Sequence, residues 1–290
     1  MSTATLLLVC PDQRGLVAKV ADWLYTHAGN IVHADQHTDA TAGLFLMRVE
    51  WELAGFTLPA EQIAPTFAPL AETIQARWEL HFSHTRPRMA ILVTKQDHCL
   101  YDLILRQRAG EIRAEIPVVI SNHPDLEGVA HNFGINFHHV PVTAATKPAA
   151  EAHMLALLQQ YEIDLAVLAK YMQVLSSDFL AQFPRVINIH HSFLPAFPGA
   201  NPYHRAYQRG VKIIGATAHY VTEDLDEGPI IEQDVMRVSH RDSVADLIRK
   251  GKDLERLVLA RAVRLHLNNR ILVYGNAGRP GVGIRTVIFD

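Results

Sequence analysis

Asn188 and His190 lie two positions apart at the end of the apolar run Val186–Ile189, just before a segment rich in Pro and Gly. Side chains at i and i+2 of a strand leave the same face, so these two groups are expected side by side where the strand becomes a loop. An amide that donates to a carbonyl oxygen and an imidazole that donates or relays a proton suit acyl chemistry. An Asn-x-His pair at the end of a strand is more often a turn that contains a satisfied histidine, and the pattern alone leaves both interpretations open.

A carboxylate is the third group that such chemistry requires, to orient the imidazole and to accept a proton from the nucleophile. The acidic segment Thr222–Pro229 supplies candidates, because it connects two apolar runs, Ile213–Val221 and Pro229–Val235, that are close enough to pair as antiparallel strands. Spacing does not distinguish Asp226 from the neighbouring acidic residues, and an acidic turn is often simply solvated. The pattern therefore indicates a region and leaves the choice of carboxylate open.

Short apolar runs alternate with helical segments in the second part of the chain, and together they predict the sheet that positions these groups. The runs are Met89–Val93, Ile116–Ile120, Phe137–Val142, Leu165–Leu168 and Val186–Ile189. Strands that are apolar on both faces and alternate with helices indicate a parallel sheet covered on both sides. Ligands of such sheets bind at the carboxyl ends of the strands, where Asn188 and His190 are expected. A capping-box-like start at Asp242–Asp246 predicts a long C-terminal helix that ends near Arg270.

Residues 1–84 have a different pattern, which predicts a separate domain. Strands and helices are predicted in the order βαββαβ, which is the ferredoxin-like pattern. The predicted elements are Thr5–Val9, a helix from Leu16 to Leu24, Asn30–Asp39, Leu44–Leu53, a helix over Ala60–Arg77, and Trp78–Ser83. Residues 85–88, which contain Pro and two Arg, are predicted to be a linker, and residues 89–290 are predicted to form the second domain.

The composition excludes several classes of function. The chain is 49% hydrophobic and 20% charged with a net charge of -3, so neither nucleic acid nor an anionic membrane surface is expected as its partner. Cys10 and Cys99 lack metal-site spacing and further cysteines to pair with, which indicates a reducing compartment. Adjacent histidines on a strand point to opposite faces, so the pairs at 138–139 and 190–191 do not predict a metal site. The N-terminus shows no signal-peptide pattern, and a cytoplasmic location is expected.

Two motifs, Asn188–Pro195 and His219–Pro229, resemble the two-part signature of the folate-dependent formyltransferase family. The similarity extends from about residue 88 to the C-terminus, and it implies a Rossmann-like, mostly parallel catalytic domain. The resemblance further implies that Asn188, His190 and Asp226 are the catalytic residues.

The same resemblance implies the substrate, 10-formyltetrahydrofolate, with no tightly bound cofactor and no metal. In the family the pterin packs against the segment before the Asn strand and near the Asp loop. The implied substrate-binding residues are therefore Tyr171, Met172, Val174, Leu175, His191 and Gly228.

The segment Thr94–Cys99 distinguishes between branches of that family. The purine-pathway transformylases carry a glycine-rich loop here, whose backbone amides hold the phosphate of an amine-bearing ribonucleotide. Thr94–Cys99 contains no glycine, and Asp97 would repel a phosphate. His191 also stands where transformylases usually have Pro. The resemblance therefore implies the hydrolytic branch, in which water replaces the amine.

Hydrolysis would release formate for purine synthesis together with tetrahydrofolate, and so balance the one-carbon folate pool. Formyl transfer to an amine acceptor on the same three residues is the alternative. A non-catalytic sensor with a vestigial formyl site is a third possibility, which the complete set of three residues disfavours.

The turn Cys10–Val17 and the βαββαβ order of residues 1–84 resemble the ACT domain, a module that senses small molecules across paired copies. This resemblance implies that effectors bind near Asp12, Arg14 and Gly15, with glycine and methionine as the expected opposed signals. It also implies a homo-oligomer, either a dimer or a tetramer.

Overall fold

The computed structural model describes residues 2–195, 202–275 and 284–289. The chain divides into two compact units. The first contains Met1–Arg86 together with Asn268–Asp290, and the second contains Pro87–Leu267.

The first unit contains the predicted ferredoxin-like arrangement. Its elements are β1 (Thr3–Pro11), α1 (Leu16–Thr26), β2 (Asn30–Asp39), β3 (Leu44–Glu52), α2 (Ala60–Thr73) and β4 (Arg77–Phe82). The strands form one antiparallel sheet in the order β2-β3-β1-β4, so the predicted βαββαβ fold is confirmed. Helix α2 ends four residues before the predicted end at Arg77, because Gln75 adopts a left-handed backbone with φ 54° and Arg77 already pairs with β1.

The second unit contains the predicted alternation of strands and helices. Its elements are β5 (Arg88–Val93), α3 (His98–Arg108), β6 (Glu115–Ser121), α4 (Glu127–Asn132), β7 (Asn136–His139), α5 (Lys147–Gln160), β8 (Leu165–Leu168), α6 (Ser177–Gln182), β9 (Val186–His190), α7 (Pro202–Arg209), β10 (Ile213–Tyr220), β11 (Ile230–Arg237) and α8 (Val244–Leu267). The sheet has the order β11-β10-β9-β8-β5-β6-β7. Strands β5 to β9 are parallel and β10 and β11 are antiparallel, which confirms the mostly parallel Rossmann-like prediction.

The sheet is buried because its strands are apolar on both faces. Residues 165–168 of β8 are all buried, and alternate residues of β5, β6 and β8 pack against α5 and α6. Helix α8 packs along β9, β10 and β11 and against α3. A rigid two-sided core of this kind fixes the ends of the strands, and the ends of the strands carry the polar residues of interest.

The strand order reverses between β5 and β8. The chain proceeds from β5 to β6 and β7 on one side, and then returns to place β8 on the other side of β5. The carboxyl ends at such a reversal are where open α/β sheets bind ligands.

Residues 268–290 pack with the first unit, whereas the sequence-based division assigned them to the second. They contain the antiparallel strands β12 (Ile271–Tyr274) and β13 (Arg285–Ile288). Leu272 and Tyr274 of β12 and Phe289, which follows β13, form a buried cluster with Leu7 and Leu46 of the first sheet. Val287 of β13 is partly buried and packs against this cluster. Arg48 Nε also donates to the carbonyl oxygen of Asn269, at 3.0 Å. The prediction was wrong here because the periodicity of a short strand does not show which sheet buries it.

Candidate active site

Asn188 and His190 lie at the carboxyl end of β9, as the sequence predicted. Strand β10 runs antiparallel beside it, and its residues His219 and Thr217 are the register partners of Asn188 and His190. His190 is buried and Asn188 is half-buried. Polar side chains from two neighbouring strands therefore meet at one point of the sheet.

Asp226 completes this cluster. Its Oδ1 lies 3.1 Å from His190 Nδ1, with the two side chains 18% and 7% exposed. The hydrogen bond from His190 lowers the pKa of Asp226 below its usual 3.8, against the opposing effect of burial. The carboxylate is therefore ionised at neutral pH. The neighbouring Glu223, Asp224 and Glu227 are exposed, and Asp226 is the acidic residue of this turn that lies against His190.

The turn that carries Asp226 is folded closely against β10. Asp226 has a left-handed backbone with φ 61°, and a Cβ placed on Gly228 would lie 1.7 Å from the carbonyl oxygen of Tyr220. Only glycine fits at that contact. Gly228 was predicted to bind substrate; the structure shows it buried in the turn, where its lack of a side chain lets Asp226 approach His190.

His219 is a member of the cluster that was not predicted as a site residue. Its Nδ1–H donates to the carbonyl oxygen of Tyr220 at 2.9 Å, so Nε2 is free to accept from Asn188 Nδ2–H at 3.2 Å. The same Nε2 lies 3.9 Å from Asp226 Oδ1. Burial lowers the pKa of His219 below 6.5, so the ring is neutral at neutral pH. His219 lies near the end of a predicted strand, seven residues before Asp226 in the sequence. That position was the signal by which it could have been predicted as a site residue.

His190 retains one unused polar atom. Its Nε2 is buried and has no hydrogen-bond partner among the described residues. The ring stacks on His191, with centroids 4.6 Å apart and planes at 21°, and His191 is half-buried. A buried ring nitrogen without a partner is costly unless a ligand supplies one, so this atom points to a bound carbonyl or oxyanion.

The loop after β9 is held by a buried hydroxyl. Thr217 Oγ1 donates to the carbonyl oxygen of Ser192 at 2.8 Å and accepts from the amide of Leu194 at 3.0 Å. Gln233 Nε2 donates both to Thr217 Oγ1 and to the carbonyl oxygen of Leu194. These contacts between β10, β11 and the loop fix residues 191–195 beside His190.

In the segment that is predicted to pack against the pterin, residues 171–175, some side chains are exposed to solvent and others are buried. Met172 and Val174 are 58% and 51% exposed. Tyr171 and Leu175 are each 5% exposed and pack in the core beneath them, and the Tyr171 hydroxyl donates to Met154 Sδ. Tyr171 and Leu175, which were also predicted to bind substrate, thus lie buried beneath the segment that Met172 and Val174 expose, and their part in substrate binding stays a prediction.

The second unit matches the family model described as formyl transferase, over residues 87–263. A curated protein of Synechocystis sp., named formyltetrahydrofolate deformylase, is 64% identical over 99% of this chain and 98% of its own. The crystal structure of a formyltetrahydrofolate deformylase from Pseudomonas syringae pv. tomato is 44% identical with a TM-score of 0.94, and the match covers 100% of this chain and 95% of that one. The chain belongs to the formyl transferase family, within its formyltetrahydrofolate deformylase branch.

A glycinamide ribonucleotide transformylase from Symbiobacterium toebii matches less of the chain. It is 35% identical with a TM-score of 0.64, and the match covers 73% of this chain and 98% of that one. This chain thus shares its fold with an enzyme that is named for a different reaction. The function of this chain must therefore be argued from the residues of its site.

The segment Thr94–Cys99 is anchored by side chains. Thr94 Oγ1 donates to Asn122 Oδ1 at 2.8 Å and accepts from the amide of Met172 at 2.9 Å. This places the exposed Met172 next to the end of β5. The segment has no glycine through which an anion can approach its backbone closely.

Among residues 2–195, 202–275 and 284–289, the group His98, Cys99 and Glu255 has the spacing of a metal site, with ligand atoms within 4.8 Å of one another. The ammonium of Lys170 lies 3.3 Å from Glu255 Oε1 and already supplies the positive charge there. A cation at this point would meet that charge, so the donor set fits a metal poorly.

The residues predicted to bind effectors lie in the first unit, at the turn before α1. Asp12, Arg14 and Gly15 are all exposed. Gly15 has φ 84°, a conformation that favours glycine, and it directly precedes the first residue of α1.

No helix in the part of the chain that the structure describes is both long and apolar enough to cross a membrane.

Proposed function

We propose that this protein hydrolyses 10-formyltetrahydrofolate to formate and tetrahydrofolate. The observation that carries the proposal is the 3.1 Å contact between His190 Nδ1 and Asp226 Oδ1 beside Asn188, with His190 Nε2 left unpartnered. The names of the relatives at 64% and 46% identity agree with this activity. The folate is the substrate.

The first step forms the tetrahedral intermediate. A water bound by Asp226 attacks the formyl carbon, and its proton passes to the Asp226 carboxylate, which the low pKa keeps ionised beforehand. The formyl oxygen gains negative charge and accepts hydrogen bonds from Asn188 Nδ2–H and from His190 Nε2–H. Neutral His219 orients Asn188, because its Nε2 accepts one of the two amide protons and directs the other.

The second step breaks the bond between the formyl carbon and N10. His190 gives its Nε2 proton to N10 as the bond breaks. Asp226 then releases to solvent the proton that it took from the attacking water, and His190 Nε2 takes up a proton from solvent. The hydrogens of water are then divided between N10 and the released formic acid, which ionises to formate. The transfers use side chains of this chain together with solvent water, and they return the side chains to their starting state.

An assay without an amine tests the proposal. The protein is incubated with 10-formyltetrahydrofolate in a buffer free of amines, and formate and tetrahydrofolate are measured. Equal amounts of both products at a catalytic rate are expected. Absence of formate until an amine is added would contradict hydrolysis and would favour formyl transfer.

We propose that the first unit is an ACT-type regulatory domain, that its effectors bind at Asp12, Arg14 and Gly15, and that the chain forms a homo-oligomer. The exposed turn with its left-handed Gly15 before α1 supports this site. Titration of glycine and of methionine into the deformylase assay tests it, with Arg14→Ala as the binding-defective variant. Opposed responses that Arg14→Ala abolishes are expected; no response to either amino acid would refute the effector site. Sedimentation of the protein tests the oligomer.

A further inference from the structure

The segment at residues 171–175 follows β8 and precedes α6, and it lies in neither a helix nor a strand. A segment of this kind has no regular ladder of backbone hydrogen bonds to hold its shape. Its conformation therefore depends on the groups to which it is attached. Two nearly enclosed side chains, Thr94 and Glu151, supply these attachments, one at each end.

Thr94 anchors the start of the segment. Its Oγ1 accepts from the amide of Met172 at 2.9 Å and, because a hydroxyl has one proton, donates it to Asn122 Oδ1 at 2.8 Å. Thr94 and Asn122 are only 9% and 7% exposed. Ser121 Oγ also donates to the carbonyl oxygen of Thr94, at 3.3 Å. This chain of hydrogen bonds attaches Met172 to the ends of both β5 and β6.

Glu151 of α5 anchors the other end. Its Oε1 accepts from the amide of Ser176 at 3.0 Å, and its Oε2 accepts from the Ser176 hydroxyl. The same hydroxyl oxygen accepts from the amide of Phe179 and so caps α6. Glu151 is 6% exposed, and the Lys147 ammonium lies 3.9 Å from its Oε1. The residue that follows the segment is thus fixed to both α5 and α6.

The two anchors hold an apolar surface in place. Tyr171 and Leu175 are buried, whereas Met172 and Val174 between them are more than half exposed. Two neighbouring apolar side chains on a fixed backbone suit the face of a flat ring, which is the part of the ligand predicted to pack here. A surface that is already in its binding conformation spares the ligand the cost of ordering it.

We propose that Thr94 and Glu151 are positioning residues that hold the 171–175 segment in the conformation that packs against the pterin. They set the affinity for the pterin and leave the chemical step to other residues. The inference rests on the proposed function for the identity of the ligand. Neither residue has a hydrogen bond or an ion pair with Asn188, His190 or Asp226 among the described residues.

Replacement of Thr94 by valine tests the proposal, because it keeps the shape of the side chain and removes the hydroxyl. Thr94→Ser, which retains the hydroxyl, is the matched control. Calorimetric titration with tetrahydrofolate is expected to show about fivefold weaker binding to Thr94→Val, the usual effect of one lost hydrogen bond, and nearly wild-type binding to Thr94→Ser. KM for 10-formyltetrahydrofolate is expected to rise by the same factor, with kcat little changed.

A ligand without the pterin separates positioning from a general structural defect. 4-Aminobenzoylglutamate is titrated as a competitor of tetrahydrofolate, and its affinity is expected to be the same in the wild type and in both variants. Glu151→Gln tests the second anchor, because one acceptor oxygen then remains for the two donors of Ser176. It is expected to weaken the binding of tetrahydrofolate and not that of the competitor.

Equal affinity of all the proteins for tetrahydrofolate would overturn the proposal, and so would an equal loss for both ligands or a loss in Thr94→Ser as large as in Thr94→Val. If Thr94→Val does not fold, the two titrations of Glu151→Gln decide by the same criteria. Binding of tetrahydrofolate requires no turnover, so the two proposals fail separately. An inactive wild type with the expected pattern of binding would refute only the hydrolysis, and an active wild type with unchanged binding in the variants would refute only the positioning.

Discussion

Two histidine–carboxylate clusters lie at strand ends of the same sheet, and they differ in what their carboxylates contact. Asp226 contacts the imidazoles of His190 and His219, and its side chain is 18% exposed. Glu255 contacts a lysine, a histidine and a tyrosine, and its side chain is 2% exposed. The first carboxylate can exchange a proton with a bound water, whereas the second is neutralised and closed off. The same pair of residue types is thus partly open to solvent in one place and enclosed in a buried ion-pair network in the other.

The largest effect is expected from Asp226→Asn, which removes the proposed general base and keeps the shape of the side chain at residue 226. Loss of a positioned general base typically costs about 10²–10⁴-fold in rate, so kcat for formate release is expected to fall by that amount with Tm nearly unchanged. The exposed Asp224→Asn is the matched control and is expected to retain wild-type activity. Equal activity of the two variants would remove Asp226 from the mechanism.

Glu255→Gln probes the buried cluster around Glu255, and its effect is expected on the free energy of unfolding. It leaves the Lys170 ammonium buried without a counter-charge, and breaking a buried pair in this way costs about 3–5 kcal/mol. Urea unfolding of the second unit measures this loss. The double variant Lys170→Met/Glu255→Leu is expected to lose less than the single one, because no buried charge then remains. A double variant that is less stable than Glu255→Gln would contradict this view of the cluster.

Asn188→Ala removes one of the proposed hydrogen-bond donors to the oxyanion that forms on the formyl group. Loss of one such donor typically costs about 2.7–4 kcal/mol in the barrier, or about 10²–10³-fold in kcat. Steady-state assays are expected to show this fall in kcat with a smaller change in KM, because the hydrogen bond strengthens in the transition state. A change confined to KM would assign Asn188 to binding of the folate instead.

The pH profile gives the smallest effect and isolates His219. Its pKa is lowered below 6.5, so the ring is neutral above that pH and its Nε2 accepts from Asn188. As pH falls through the lowered pKa, the protonated ring loses this acceptor, and kcat is expected to fall by up to about tenfold per pH unit. In the His219→Gln variant, the amide oxygen of the new side chain accepts a hydrogen bond at every pH. This variant is expected to be slower than the wild type and to lack the fall in kcat at acid pH. An acid limb that persists in the variant would belong to another group.

The sequence predicted most of the sheet because its strands are apolar on both faces, and that pattern depends on local composition alone. It also placed Asn188 and His190 side by side, since i and i+2 share a face of any strand. It did not choose Asp226 by physical argument, because that choice depends on a left-handed turn and on the contact between Gly228 and Tyr220. These features depend on the tertiary structure, and only the family resemblance indicated Asp226 in advance.

The remaining differences have the same origin. Helix α7 and the C-terminal strands were not predicted, because their stability depends on neighbours distant in the chain. Glu255 reads in the sequence as an ordinary polar position of a long amphipathic helix. Only the convergence of Lys170, His98 and Tyr203 shows that it is buried and paired.

The central claim is that Asn188, His190 and Asp226 meet around one formyl carbon. A crystal structure of the protein with a non-hydrolysable formyl-folate analogue tests it most directly. The formyl oxygen is expected within hydrogen-bond distance of Asn188 Nδ2 and His190 Nε2, with the pterin against Met172 and a water between Asp226 and the carbon. A formyl group bound elsewhere, with His190 Nε2 still unpartnered, would contradict the account.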